Sequence, residues 1–577
     1  MRINQILVFA AGLGIAAFGH SAVYYLSPFG DDYAGDGTAA APWRTLDEAL
    51  RRGGGNTFVL KDGIYDYQGS EITNPPSGSA SAYTVVKAAT DGGAVFSRLG
   101  SLAIPHTSSY VQFEGIKWSF AGEKQIHGNH LKFLRCAFEG GPSSGNATNT
   151  VVGTNDSDDT NTILFEDCWF YGIGGRYDLL VYNSDKVIVR RCVIRHEGGW
   201  DDQGSQDPEA GLNFYNSSNC LAENVLVVDS VGAFKTFQGS FYAVKNGSTD
   251  RANKNNSWLG CVALVSENMG LRMDVTQAAN LTVQDSVFWD CKNGGISFGT
   301  GDAACAVNRV TIGRTFVAGQ GDFMGGLGYW GSQGARTVKN LVFVNLSGRD
   351  LDGVSASYFD TYHNGSSSDG TGRVTVNPFS GGLKYLPRIE DGSALKTAGE
   401  GGGQMGAQIV KRYGAAGSLY GDPGYDALTT EDLWPWPNQA RIFEDMCRDR
   451  TSGFCAAVSL TDYVWNYAGS PRGFFPADTS RGEGDRRDGS DPGNLGPRRK
   501  YVAPSRGRGA EFGGEAVEVV VLDSVGNAVY RRETSGGTPI VWDGRDSSGR
   551  AVESGVYVCK VKDNAGKDSY YPLVVVK

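Results

Sequence analysis

The sequence predicts an all-β chain built mainly from a right-handed parallel β-helix, and three observations carry that reading. A short apolar strand returns behind the same turn as A-G-L-N-F-Y-N (210–216), G-A-F-K-T-F-Q (232–238), M-G-L-R-M-D-V (269–275) and G-G-I-S-F-G-T (294–300). Aligned on the turn, Leu212, Phe234, Leu271 and Ile296 share one position, and Phe214, Thr236, Met273 and Phe298 share the position two further on, the period of a strand with one apolar side. The returns are unequal, at 22, 37 and 25 residues (212 to 234, 234 to 271, 271 to 296). A fixed strand register with variable returns is what a solenoid gives when loops of different size leave one corner of each coil. Two-residue hairpin signals, which a sandwich or propeller requires, do not recur across this stretch.

The N-terminus reads Met1-Arg2, an apolar run from Ile6 to about Phe18, and small residues ending at Ala22. That run is too short to span a bilayer and has the order of a signal peptide, expected over 1–22. An exported protein with no transmembrane segment in its mature form, extracellular or at the cell surface, is the corresponding expectation. Thr45 followed by Glu48 makes a capping box, and Leu46, Ala49 and Leu50 an apolar stripe. This short helix is the expected cap over the open end of the solenoid, whose first edge needs cover.

Further coils are read at 107–118, 129–138, 161–170, 186–194, 280–288 and 338–345. Cys136, Cys168 and Cys192 occupy equivalent rung positions, continued by Cys261 and Ser286, which predicts a buried ladder of small side chains. Cys447 and Cys455, in a Gly-containing loop outside the coils, are the expected disulfide. The β-helix is assigned to 23–407, an extension packed on it to 408–476, and a flexible linker to 477–512, which is rich in Gly, Arg, Asp and Pro. From 513 to 577 short alternating strands separated by turn residues predict a small antiparallel β-sandwich.

Composition narrows the function. The 82 glycines are about twice the usual share of roughly 7%, without a three-residue period, which excludes collagen. A net charge of -10 argues against a nucleic-acid partner. The repeat alignment places Asn213, Lys235, Arg272 and Ser297 in one outward column, with Tyr215, Phe237, Asp274 and Gly299 in the next. Lys235 and Arg272 then become neighbours on one exposed face, roughly 4.8 Å apart. Beside them comes the acidic insertion W-D-D-Q-G-S-Q-D-P-E (200–209), with Asp201, Asp202, Asp207 and Glu209.

The segments Y-Y-L-S-P-F-G-D-D (24–32), A-P-W-R-T-L (41–46) and F-V-L-K-D-G-I-Y (58–65) resemble the entry to secreted bacterial β-helix proteins of the pectate-lyase-like superfamily. Residues 393–407 are similar to the closing segment of such β-helices, and W-D-G-R, S-G-R-A-V and S-G-V-Y-V resemble a FlgD-type immunoglobulin-like module, which implies attachment to the cell envelope or spacing. The first resemblance implies a calcium-dependent polysaccharide lyase acting on an acidic glycan by β-elimination. In such enzymes a Lys or Arg takes the C5 proton of a uronic acid while carboxylates hold calcium, so Lys235 or Arg272 would be base and the other a substrate clamp. Asp201, Asp202, Asp207 and Glu209 would be calcium ligands, helped by Asp229 or Glu267. The family draws its carboxylates from several rungs, whereas here most lie in one insertion.

Two other functions fit the same face. Asn213, Tyr215, Phe237 and Trp330 could contact sugar rings in a noncatalytic surface glycan binder as well as in an enzyme. A polygalacturonase-type hydrolase needs paired carboxylates; Asp201-Asp202 is the adjacent pair near the face, and the accompanying G-H-G is absent from the sequence. His127 and His130 stand three apart with no helix or third ligand, which reads as surface histidine and not zinc.

Overall fold

In the computed structural model the described residues are 21–67, 71–97, 102–142, 148–154, 160–173, 175–197, 209–230, 237–244, 253–274, 280–299, 304–314, 325–329, 336–378, 387–448, 453–457, 459–467, 501–502, 510–512, 516–522, 528–534, 540–552, 555–563 and 568–575. The expected signal segment, most of the expected linker, Asp201, Asp202, Asp207, Lys235 and Trp330 lie outside them.

A parallel β-helix forms the body of the chain, each coil contributing a strand to three stacks. The first stack runs through Ser109–Glu114, Asn129–Leu134, Asn161–Glu166 and Asp185–Arg190. The second runs through Lys117–Ser119, Ala137–Glu139, Trp169–Ile173, Val193–Glu197 and Leu226–Ser230. The third is a ten-stranded sheet that includes Tyr177–Tyr182, Ala210–Tyr215, Gly239–Val244, Met269–Asp274 and Gly294–Phe298. A single left-handed residue turns the chain from the first stack into the second. Gly115, Arg135, Asp167, Arg191, Asn224, Gly260, Asp285, Arg309 and Asn340 hold this corner, with φ between 48° and 65°.

Inward side chains stack like on like. Phe113, Phe133 and Phe165 follow one another with ring centroids 5.0 and 4.9 Å apart, and Trp118, Phe138 and Phe170 do so at 4.9 and 4.6 Å. Such offset rings add dispersion to an already dry core. Cys136, Cys168 and Cys192 sit directly after the corner, buried with free thiols, and the Cys136 amide donates to Cys168 Sγ at 3.4 Å. Burial pushes the Cys168 thiol far above its ordinary value. The helix Leu46–Leu50 covers the N-terminal end, with Thr45 Oγ1 accepting from the Glu48 amide and Leu46 and Ala49 buried in the solenoid core.

One rung differs from the sequence expectation. Leu212 pairs with Phe241, not with Phe234, and Phe241 pairs with Leu271. The rung is G-S-F-Y-A-V, Gly239–Val244. Both stretches offer Gly, a small residue and Phe in order, so strand periodicity alone does not separate them. The returns become 29, 30 and 25 residues (212 to 241, 241 to 271, 271 to 296), more even than the first alignment.

The described residues between 387 and 467 clothe the outside of the second stack. Its outward side chains are apolar, among them Trp169, Val193, Leu226, Val262, Trp289 and Val342, and they pack against Ile409, Leu433, Trp436, Met446, Phe454 and Tyr463. Leu395, Met405 and Ala407 join that layer, so the segment 393–407 lies along the solenoid's side. Cys447 and Cys455 are bonded within it. Towards the C-terminus a five-stranded sheet, mostly antiparallel, and the antiparallel pair Ala510–Phe512 with Ile540–Trp542 share a core of Phe512, Val519, Val521, Trp542, Tyr557, Cys559 and Val561, a small sandwich. Among the described residues no helix is long and apolar enough to cross a membrane.

Candidate functional site

The outward side of the third sheet carries chemistry instead of apolar packing. Along it Leu212, Phe214, Phe241, Ala243, Leu271 and Met273 point into the core, so the residues between them point out. The parallel register aligns Leu180, Asn213, Tyr242, Arg272 and Ser297 in one outward column, each step roughly 4.8 Å. Tyr182, Tyr215, Val244 and Asp274 form the next.

Arg272 Nε donates to Asp274 Oδ2 at 2.8 Å, and its Nη1 donates to Gln238 Oε1. These two contacts fix the guanidinium plane and leave Nη2 without a protein partner among the described residues. The Tyr242 hydroxyl donates to the same Asp274 oxygen at 2.9 Å. Burial first, and the charge of Asp274 second, push the Tyr242 phenol well above its ordinary value, so it keeps its proton at neutral pH. A second carboxylate, Glu209, is held by the Arg176 guanidinium and the Tyr177 hydroxyl, and burial followed by the charge of Glu209 raises the Tyr177 phenol likewise. Tyr182 and Tyr215 meet edge to face with centroids 5.0 Å apart.

Two members of the central column are buried polar groups left unpaired. Neither amide atom of Asn213 and not the hydroxyl of Ser297 has a hydrogen-bond partner among the described residues, although both side chains are fully buried. An orphaned buried group of this kind costs about 1–3 kcal/mol. Asn213, Tyr242, Arg272 and Ser297 thus run consecutively along the solenoid axis as a stripe of donors and acceptors, two of them unsatisfied.

Several expected assignments change. The position beside Arg272 that the sequence alignment gave to Lys235 belongs to Tyr242, and the position given to Phe237 belongs to Val244. Phe237 itself is only 3% exposed, so it offers no open ring to a sugar. Arg272, Asn213 and Tyr215 do share one face, and Tyr215 is half-buried. Glu209 lies near them but is committed to Arg176 and Tyr177. Asp229 lies under the extension, where it accepts from the Phe454 amide at 2.7 Å and the Tyr463 hydroxyl at 2.5 Å, and Glu267 pairs with Lys292 at 3.2 Å. Among the described residues no three His, Cys, Asp or Glu side chains converge as a metal site would need. Of the expected calcium ligands, Asp201, Asp202 and Asp207 lie outside the described residues. Tyr242, Asp274, Arg176 and Tyr177 were missed as site residues; the more even returns of the alternative register would have brought Tyr242 beside Arg272.

No protein-family model matches the chain, and no curated protein matches its sequence. Similar solved structures include the pectate lyase Pel9A, 15% identical over 66% of this chain and 92% of that one with a TM-score of 0.38. A mannuronic acid specific polysaccharide family 6 lyase from human gut microbiota is 16% identical over 60% of this chain and 87% of that one, with a TM-score of 0.36. The GH136 lacto-N-biosidase from Eubacterium ramulus is 10% identical over 54% and 67%, with a TM-score of 0.33. The fold of this chain stands on its own strand register, and its chemistry on its own side chains.

Proposed function

We propose that the chain binds an acidic polysaccharide along the outward column of the third sheet and cleaves it by β-elimination beside Arg272. The observation that supports this most is the pair Tyr242 and Arg272 on adjacent rungs, with a guanidinium positioned by Asp274 and Gln238 and one edge uncommitted among the described residues. Arg presents a planar fork matched to a carboxylate, and Asp274 and Gln238 already hold that fork in place. A uronate carboxylate neutralised by Arg272 leaves its C5–H more acidic, which is the first demand of elimination. Tyr215, half-buried on the same face, offers a ring edge to a flanking sugar. Among the described residues the extension packs on the second sheet, and no outward residue of the third belongs to that layer. Action outside the cytoplasm is part of the proposal, supported by the signal-like N-terminal sequence, as is an attachment role for the C-terminal sandwich.

A panel of uronic-acid polysaccharides, followed by the absorbance of unsaturated product, tests the reading. Turnover of at least one member is expected, with Arg272→Ala lowering it by about a hundredfold or more. Retention of a polysaccharide without unsaturated product from any of the panel would instead make the chain a noncatalytic glycan binder.

A further inference from the structure

We infer that Tyr242 is the proton donor to the departing sugar oxygen and that Asp274 takes the C5 proton and returns it to Tyr242. The inference rests on the β-elimination reading above and adds two catalytic residues to it. Three observations carry it. The register places Tyr242 on the rung next to Arg272, so a sugar whose carboxylate meets the guanidinium lies against the phenol. The Tyr242 hydroxyl and Arg272 Nε both donate to Asp274 Oδ2, at 2.9 and 2.8 Å, which couples clamp, acid and carboxylate in one unit. The phenol is 8% exposed and protonated at neutral pH, so a proton is present beside Arg272 for the leaving oxygen.

The step balances without a co-reactant. The C5–H bond breaks as its proton passes to the Asp274 carboxylate, and the electron pair forms the C4–C5 double bond. The Tyr242 hydroxyl turns from Asp274 to O4, and the C4–O4 bond breaks as O4 takes that one phenolic proton, releasing the leaving sugar with a free hydroxyl. Carboxylic acid and phenolate then face each other across the same short distance, Asp274 donating, and the proton moves from Asp274 to Tyr242. Both groups return to their starting state.

A pair of substrates separates the two roles. On a polysaccharide that the wild-type protein cleaves, Tyr242→Phe should lower kcat by about 10²–10⁴-fold while leaving KM within a fewfold. On a uronate carrying a nitrophenyl group at O4, which leaves without protonation, the same variant should lose less than about tenfold. Asp274→Asn should slow both substrates, since C5 must lose its proton in either. Equal losses by Tyr242→Phe on both substrates would assign the phenol a structural role, and full activity on the polysaccharide would exclude it; either result overturns the inference while leaving the elimination reading intact. A wild-type protein that yields no unsaturated product from any polysaccharide removes the reading and this inference together. Thermal unfolding and retention of the polysaccharide on an affinity gel check that the phenylalanine variant folds; should it not, Asp274→Asn decides alone, because undiminished turnover by that variant breaks the proton return.

Discussion

The second and third sheets of the solenoid share a backbone and an inward core, yet their outward sides have opposite fates. Outside the second sheet the alternate positions carry Ala137, Trp169, Val193, Leu226, Val262 and Val287, and the described residues between 387 and 467 seal them from water. Outside the third they carry Asn213, Tyr242, Arg272 and Ser297, and two of these remain unsatisfied. In a solenoid the inward column decides the fold and the outward column is free to differ from sheet to sheet. Arginine shows the contrast within one residue type. Arg190, at the covered corner, is fully buried against Glu223 at 2.6 Å and Glu166 at 3.0 Å and donates to the carbonyls of Ala415 and Tyr425 at 2.7 Å each. Arg272 is 28% exposed beside Asp274.

The largest expected effect follows from removing the buried member of that comparison. Arg190→Met keeps much of the volume but strands Glu223, which is itself fully buried, and should cost about 3–5 kcal/mol. Burial already lifts the Glu223 carboxyl from 4.5 to about 7 against the pull of Arg190. A folded value above the unfolded one means stability that is present at low pH and lost as pH rises through the folded value. The variant should therefore unfold in less denaturant at pH 8 than at pH 5, because at pH 5 the stranded carboxyl takes a proton. Equal midpoints at the two pH values would show that Glu223 finds another cation. Arg272→Ala should shift the same midpoint by about 1 kcal/mol or less, since a partly exposed pair contributes little to folding, although it is expected to stop turnover. A loss as large as that of Arg190→Met would mean that Arg272 belongs to the scaffold.

The residues differ in how much of this could be read in advance. Inward alternation is enforced on every coil, so the strands, the thiol ladder through Cys136, Cys168 and Cys192 and the capping helix were legible from the sequence. The rung between Leu212 and Leu271 was not, because 232–238 and 239–244 both begin Gly-small-Phe, and Phe234 and Phe241 are equally good core residues. Choosing the first put Lys235 beside Arg272 and hid Tyr242, an error that only the return lengths could have exposed. The cover over the second sheet was equally hidden. Outward Val and Trp look the same in a buried strand as in a partner-facing one, and the pairing of Arg190 with carbonyls over two hundred residues away leaves no local pattern.

The smallest effect compares two serines, one on an inward column and one on an outward column. Ser286 continues the inward thiol ladder, where its hydroxyl donates to the Gln284 carbonyl at 2.9 Å and accepts from the Cys261 amide at 3.1 Å. Ser297 is as fully buried, on the outward column beside Arg272, and its hydroxyl has no partner among the described residues. Alanine removes the same atom in both places, so the difference isolates the hydrogen bonds. Ser286→Ala deletes a satisfied hydroxyl and leaves the Cys261 amide unpaired, which should destabilise the fold by about 1 kcal/mol. Ser297→Ala deletes an unsatisfied one and should stabilise it by a similar amount, about 1 kcal/mol. Denaturant midpoints of the two variants give both quantities. If Ser297→Ala instead loses stability as Ser286→Ala does, its hydroxyl is already satisfied in the folded protein, and the third sheet's outward column is scaffold in the same sense as the second's.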